Sequence, residues 1–224
     1  FMLIMGQYKI ENNMKNNLLI IGGKSTALEI YDVINSHLKE AYLDIVFVIG
    51  DNESMNDSYN FITDSELEDY VNKYKCCYII SFANHKLRVK FANLMNTYGI
   101  KPINIIHPSS IISSSANIGV GNYIAAGSII SYNAVINNHC MINFNATVGH
   151  DSYIKDHCII NPGARISGNV NIGERVLIGT NSIIFQGKNI GNDCLIDALT
   201  YIDRDIDDRM ICSSRQLKIF KRVL

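Results

Sequence analysis

Apolar side chains recur every six residues through the second half of this chain. From Ile112 the first positions of successive sixes read Ile112, Ile118, Ile124, Ile130, Ile136, Ile142, Val148 and Ile154. They continue as Ile160, Ile166, Ile172, Ile178, Ile184, Ile190, Ile196 and Ile202. Sixteen hexapeptides, residues 112–207, follow one another without an insertion. Four residues after the aliphatic the side chain is small, as in Ala116, Ser128, Ala134, Cys140, Ala146 and Ser152, with Asn122 and Lys188 departing. The small residue and the next aliphatic lie two apart, so on a strand both point to one face. Directly after the aliphatic come Gly119, Asn137, Asn143, Gly149, Asn161, Gly173, Gly179, Gly191 and Asp197. These types tolerate left-handed backbone, which places a sharp corner there. A fixed short period is the mark of a solenoid. Three strand-and-corner units close a triangular coil of eighteen residues, so the pattern predicts a parallel β-helix of about 5.3 coils, roughly 25 Å tall.

The first half carries a different rhythm. Leu18 to Ile21 reads as a short buried strand, followed by Gly22-Gly23-Lys24-Ser25-Thr26 and a helix over about 27–40. A second strand over 44–49 ends at Gly50-Asp51-Asn52. A helix over 65–74, a strand over 78–80, a helix over 86–98 and a fourth strand over 103–106 complete it. Alternating β and α of this length predicts a parallel sheet with Rossmann-like connections. The division is a Rossmann-like domain over 14–106, a β-helix over 107–212 and a basic tail over 213–224. Residues 1–13 read as an extension outside the fold, with Met14 as the native start. A glycine loop between strand and helix can hold phosphate on backbone N–H groups. This one lacks the Walker A glycine, whose place Leu18 takes, and is not GxGxxG. On these residues alone a tight turn with a charged tip is the plainer reading.

Charge and cysteines narrow the picture. Twenty basic against 21 acidic residues leave a net charge of −1, which gives no electrostatic case for nucleic acid or an anionic membrane. No apolar run approaches the roughly 20 residues of a membrane span and no signal peptide is evident, so a cytoplasmic protein is expected. Six cysteines are present. Cys140, Cys158, Cys194 and Cys212 fall at multiples of eighteen, which assigns them to one inward column with Val176 filling its gap. A one-sided ladder does not converge on a metal, and small buried thiols are the expected role, as for Cys76 and Cys77.

A small Rossmann-like domain followed by this repeat, joined at "IHPSS", resembles the PglD/NeuD family of sugar acyltransferases. The resemblance covers Leu18 to about Asp207 and is most specific from Ile142 to Gly179, "INFNATVGHDSYIKDHCIINPGARISGNVNIGERVLIG". It implies a left-handed parallel β-helix and an acetyl-CoA-dependent enzyme. The substrate would be an amino sugar carried on a nucleotide, or a hydroxyl of sialic acid. It also implies a homotrimer with active sites between subunits, and no metal. On matching motif positions His150 is the general base and Asp151 its acidic neighbour. Asn143 stands near the sugar amine, Gly168 offers a backbone N–H to the thioester carbonyl, and Thr180 meets the pantetheine. Gly22, Gly23, Lys24, Ser25, Asp51 and Asn52 match the nucleotide-holding loops, with Asn84 and Arg88 flanking the same pocket.

Spacing supports part of this independently. His150 is third in its hexapeptide, on the exposed side, and Gly168 lies eighteen residues on, hence one coil along and about 5 Å away. A base beside a free donor is what acyl transfer requires. Plainer readings stand beside each: a solvated corner histidine for His150, a water-facing carboxylate for Asp151, a corner asparagine for Asn143. Three departures from the family pattern matter. Lys24, Ser25 and Thr26 replace the later glycines and the His of the first loop, although Lys24 could pair with a phosphate. Ile159 stands where a further histidine is often found. The terminal segment is "CSSRQLKIFKRVL", whose Arg215, Lys218, Lys221 and Arg222 either meet CoA phosphates or solvate a terminal helix. Two rivals fit less well. A γ-type carbonic anhydrase would need His139, His150 and His157 to converge, but they occupy different columns. A scaffold would show a repeated outward residue, and none appears. The expectation is N-acetylation of a nucleotide-linked amino sugar, a UDP-4-amino sugar for a bacterial surface glycan, with O-acetylation of a sialic-acid-like sugar as the alternative.

Overall fold

The structure is a computed structural model and describes residues 15–214. The expected extension over 1–13 and the tail residues Arg215, Lys218, Lys221 and Arg222 lie outside the described residues. The first half runs β1 (Asn17–Ile21), α1 (Ser25–His37), β2 (Ile45–Ile49), β3 (Phe61–Thr63), α2 (Leu67–Lys73), β4 (Cys76–Ile80), α3 (His85–Thr97) and β5 (Lys101–Pro102). The strands form one parallel sheet in the order β3-β2-β1-β4-β5. After Asn17, β1 is apolar from Leu18 to Ile21 because both its faces are covered. Leu18 and Ile20 pack with Ala27, Ile30 and Ile34 of α1. Leu19 and Ile21 pack with Phe91 and Met95 of α3. β3 escaped the sequence pattern because it is only three residues long and half-exposed at the sheet edge.

The expected strand over 103–106 shrinks to its last two residues, and a separate short strand precedes it. β5 finishes the Rossmann-like sheet, whereas β6 (Ile105–Ile106) is the first rung of the solenoid and pairs Ile105 with Tyr123. From there two-residue strands stack into three parallel sheets at a register of eighteen residues. One face carries seven strands, one six and one five. The aliphatic and small columns both point inward, as Ile136 with Ala134 and Ile142 with Cys140 show, and form one continuous core.

Two details differ from the sequence reading. The left-handed residue is not the one after the aliphatic but the third after it. Fourteen consecutive corners, every sixth residue from Gly121 to Leu199, have positive φ. The glycines directly after the aliphatic serve another need: a Cβ on Gly149 would lie 2.5 Å from the backbone N of Gly168, so close coil stacking excludes a side chain. Secondly, the final coil is shortened by two residues. Ile206 bridges to Ile190 and Cys212 pairs with Ile196, both sixteen apart. Cys212 therefore leaves the Cys140, Cys158 and Cys194 column and stands in the aliphatic one.

The three faces differ in what they meet. The outward residues Tyr123, Met141 and Ile159 of one face are buried against the first domain, in a shared core with Ile30 and Ile34 of α1. The six-stranded face exposes Ile111, Ile129, Ile183 and Tyr201. The five-stranded face presents Asn117, Val135, Tyr153, Asn171 and Asn189. We refer to them as the covered, open and polar faces. No described helix is long and apolar enough to cross a membrane.

Candidate active site

His150 and Gly168 occupy the ridge between the open and polar faces, one coil apart. Strand Thr147–Val148 ends at Gly149, and the chain turns at Asp151, whose φ of 57° is left-handed. A short carboxylate side chain tolerates that conformation. The turn brings Asp151 Oδ2 to 2.8 Å from His150 Nδ1. Asp151 Oδ1 accepts a hydrogen bond from Asn133 Nδ2, also 2.8 Å, from the coil before. The Asn133 amide and then the His150 ring hold the Asp151 carboxyl below the ordinary carboxylate range. With Nδ1 engaged, Nε2 is the free nitrogen. It lies over Gly168, where an added Cβ would be only 2.5 Å away. The Gly168 N–H meets no acceptor among the described residues. The ridge thus carries a half-exposed imidazole with a fixed orientation beside an unused backbone donor.

Asn143 and Thr180 lie on a different ridge, between the covered and open faces. Asn143 is buried and donates from Nδ2 to Asn161 Oδ1 at 3.2 Å. Thr180 is exposed at the rim of a groove of about 510 Å³, lined also by Ile129, Phe144, Thr147 and Arg165. One chain therefore sets His150 and Asn143 at opposite edges of the open face.

In the first domain the proposed nucleotide loops gather at the carboxyl ends of the strands. β1 has β2 on one side and β4 on the other, which makes the β1/β4 boundary the switch point where such sheets bind ligands. Gly22 follows β1 with φ of 119°, and a Cβ there would meet Ser81 Oγ, just after β4, at 2.5 Å. Gly23 packs as closely on Ile49. Lys24 caps α1 and pairs with Glu53 at 2.8 Å, each partner moving the other's pKa toward the charged form. Ser25 begins α1, Asp51 accepts from Ser65 N at 2.9 Å, and Asn52 is exposed. Asn84 caps α3 by accepting from Leu87 N.

Arg88 is fully buried. It donates to the carbonyls of Ile80, Phe82 and His139, and so ties the end of β4 to a corner of the prism. The three histidines of the zinc alternative do not converge. His139 and His157 stack at 5.1 Å on the ridge between the polar and covered faces, a different ridge from that of His150. Ile159 is buried under the first domain. The larger hollow, about 710 Å³, is at the opposite end of the Rossmann-like sheet, beside Asn17, Asp44, Tyr59 and Tyr70, and holds none of the expected site residues. Asn133 is the site residue that sequence reading missed. Its signal was available in the eighteen-residue spacing from Asp151.

The family model for the bacterial transferase hexapeptide (six repeats) matches residues 133–168, the segment that holds this ridge. The fold is that of the acetyltransferase domain of PglB from Neisseria gonorrhoeae FA1090, with 26% identity and a TM-score of 0.79 over 88% of this chain and 95% of that one. A second structure of that domain, in complex with acetyl coenzyme A, matches at 25% identity and the same TM-score over 88% and 96%. A mutant of perosamine N-acetyltransferase from Caulobacter crescentus, in complex with CoA and GDP-perosamine, shares the fold at 24% identity. Its TM-score is 0.81 over 87% of this chain and 92% of that one. No curated protein matches the sequence. The repeat resembles that of the bacterial hexapeptide transferases, and the fold is that of sugar acetyltransferase domains. Within that class the chain resembles the PglD/NeuD type, in which a small α/β domain precedes the β-helix.

Proposed function

We propose that this chain transfers the acetyl group of acetyl-CoA to the amine of a nucleotide-linked sugar, a UDP-4-amino sugar being the expected form, for a bacterial surface glycan. The observation that carries the proposal is the His150–Gly168 pair, with Asp151 on the far side of the imidazole. The neutral sugar amine attacks the thioester carbonyl, and His150 Nε2 accepts the proton that the new C–N bond displaces. Gly168 N–H donates to the oxyanion of the tetrahedral intermediate. Collapse breaks the C–S bond, and the imidazolium returns its proton to the departing CoA thiolate. No covalent acyl-enzyme is needed. The nucleotide is assigned to the β1/β4 crevice at Gly22 and Gly23. A phosphate would have to compete with Glu53 for Lys24.

The working unit is proposed to be a homotrimer. His150 and the Asn143–Thr180 ridge stand at opposite edges of the open face, whose Ile111, Ile129, Ile183 and Tyr201 are exposed in one chain. Apposed open faces would bring one chain's His150 to its neighbour's Asn143 and Thr180, which one chain alone does not do.

Thiol release from acetyl-CoA, measured with UDP-, dTDP- and GDP-linked amino sugars and with free sialic acids, tests the reading. Release with an amino sugar, and a mass gain of one acetyl on its nitrogen, is expected. Release with sialic acids only would transfer the assignment to O-acetylation. His150→Ala should lower kcat by about 10²–10⁴-fold, the usual contribution of a positioned base; a variant with wild-type kcat would remove the base. Light scattering should give a mass of three chains.

A further inference from the structure

We propose that Asn133 is a positioning residue for the acyl transfer: its side-chain amide holds the Asp151 carboxylate, which in turn fixes the His150 ring. The inference rests on His150 acting as the base. Each oxygen of Asp151 has one partner, Oδ1 the Asn133 amide at 2.8 Å and Oδ2 the His150 Nδ1 at 2.8 Å. A carboxylate held on one side only can rotate about its last bond, and the imidazole turns with it. Held on both sides, it specifies the Nδ1–H tautomer and leaves the Nε2 lone pair toward the reacting amine.

Asn133 is itself held. Its backbone is left-handed, with φ of 55°, and its N–H donates to Ser115 Oγ at 2.9 Å. Ser115, Asn133 and Asp151 thus stand at eighteen-residue intervals, three coils in one column of the ridge. The solenoid period that builds the core also stacks this relay. Asparagine suits the position twice, since it tolerates the left-handed corner and offers an uncharged donor to a carboxylate.

Two variants separate the amide from the backbone. Asn133→Gly keeps the left-handed corner without strain. Asn133→Asp keeps size and corner but faces one carboxylate with another. Both should retain the wild-type circular dichroism spectrum and lower kcat on the order of tenfold or more, short of the loss from removing the base itself. KM should be unchanged in both. In ¹⁵N-histidine spectra of the full chain at alkaline pH, the His150 signal should shift from predominantly Nδ1–H in the wild type to a mixed tautomer in both variants. An unchanged tautomer, or a change in KM with kcat retained, would overturn the proposal. The tautomer is read without turnover. A wild-type chain that acetylates no amino sugar therefore refutes the proposed function and still leaves the relay to be judged by its spectrum.

Discussion

The imidazole of His150 fills the space in which Gly168 would carry a side chain. A Cβ on Gly168 would stand 2.5 Å from Nε2 and 2.6 Å from Cε1, closer than packed atoms approach. The ring is half-exposed and can swing outward, so Gly168→Ala has a soft way to relieve the clash. The expected result is a small change in stability, within about 1 kcal/mol, and a large one in rate. Displacing a base by about 1 Å costs on the order of 10²-fold in kcat. In the double variant with His150→Ala the Gly168→Ala loss should shrink, because both act through one ring. Full additivity of the two kcat losses would show that the glycine serves something else.

Gly149 has no such escape. A Cβ there would meet the backbone N of Gly168 and the backbone C of Ser167, both at 2.5 Å. Neither can move without parting two coils. Gly149→Ala should therefore destabilise the fold by about 1–3 kcal/mol or more, as overpacking does, seen as a lower urea midpoint. Neighbouring glycines on the same ridge should thus fail in different ways, one in rate and one in stability.

That contrast also shows what the sequence reveals and what it hides. The solenoid was legible because each six-residue unit must put an aliphatic and a small side chain inward, and Ile136 with Ala134 or Ile160 with Cys158 repeats that need without exception through the middle coils. The corner was misplaced. Its left-handed residues include His139, Arg175 and Leu199, types with no turn signature, and stacking rather than side-chain preference imposes the conformation. The glycines after the aliphatic looked like corners but answer to the next coil's backbone, a neighbour eighteen residues away. The same period brought His150 and Gly168 together on paper. It could not show that Lys24 would be paired with Glu53, or that the last coil would shorten and move Cys212, because those depend on tertiary contacts without a period.

Acidification should weaken the junction between the two domains before it reaches the carboxylates. Tyr78, His139 and His157 form a stack, with ring centroids 6.0 and 5.1 Å apart, and both histidine Nδ1 atoms are buried without a partner among the described residues. Burial first, then His157 and Arg88, push His139 down to about 4; burial lowers His157 and His85 as well. The folded pKa is below the unfolded one, so the unfolded chain binds the extra proton between them. Stability is then full above about pH 6.5 and falls as the pH drops toward 4, by about 3 kcal/mol for His139 at the full shift. Urea unfolding at pH 7.5 and 4.5 measures it. His139→Phe keeps the ring in the stack and should reduce the difference; an unchanged difference would place the titration elsewhere.

Arg88 offers the sharpest test of how a residue matched to a substrate pocket can belong to the framework instead. Family position puts it beside the nucleotide, yet it has no exposed surface, and its guanidinium joins the carbonyls of Ile80 and Phe82 to that of His139 across the domain junction. Burial lowers its pKa to about 10, which leaves it charged at neutral pH. Arg88→Met fills most of the volume but strands those carbonyls, each unpaired group costing about 1–3 kcal/mol. The variant should lose roughly 2–4 kcal/mol of stability, read from denaturant unfolding. The KM of the folded fraction for the nucleotide sugar should remain that of the wild type. A substrate ligand would do the reverse, raising KM while leaving the unfolding midpoint in place.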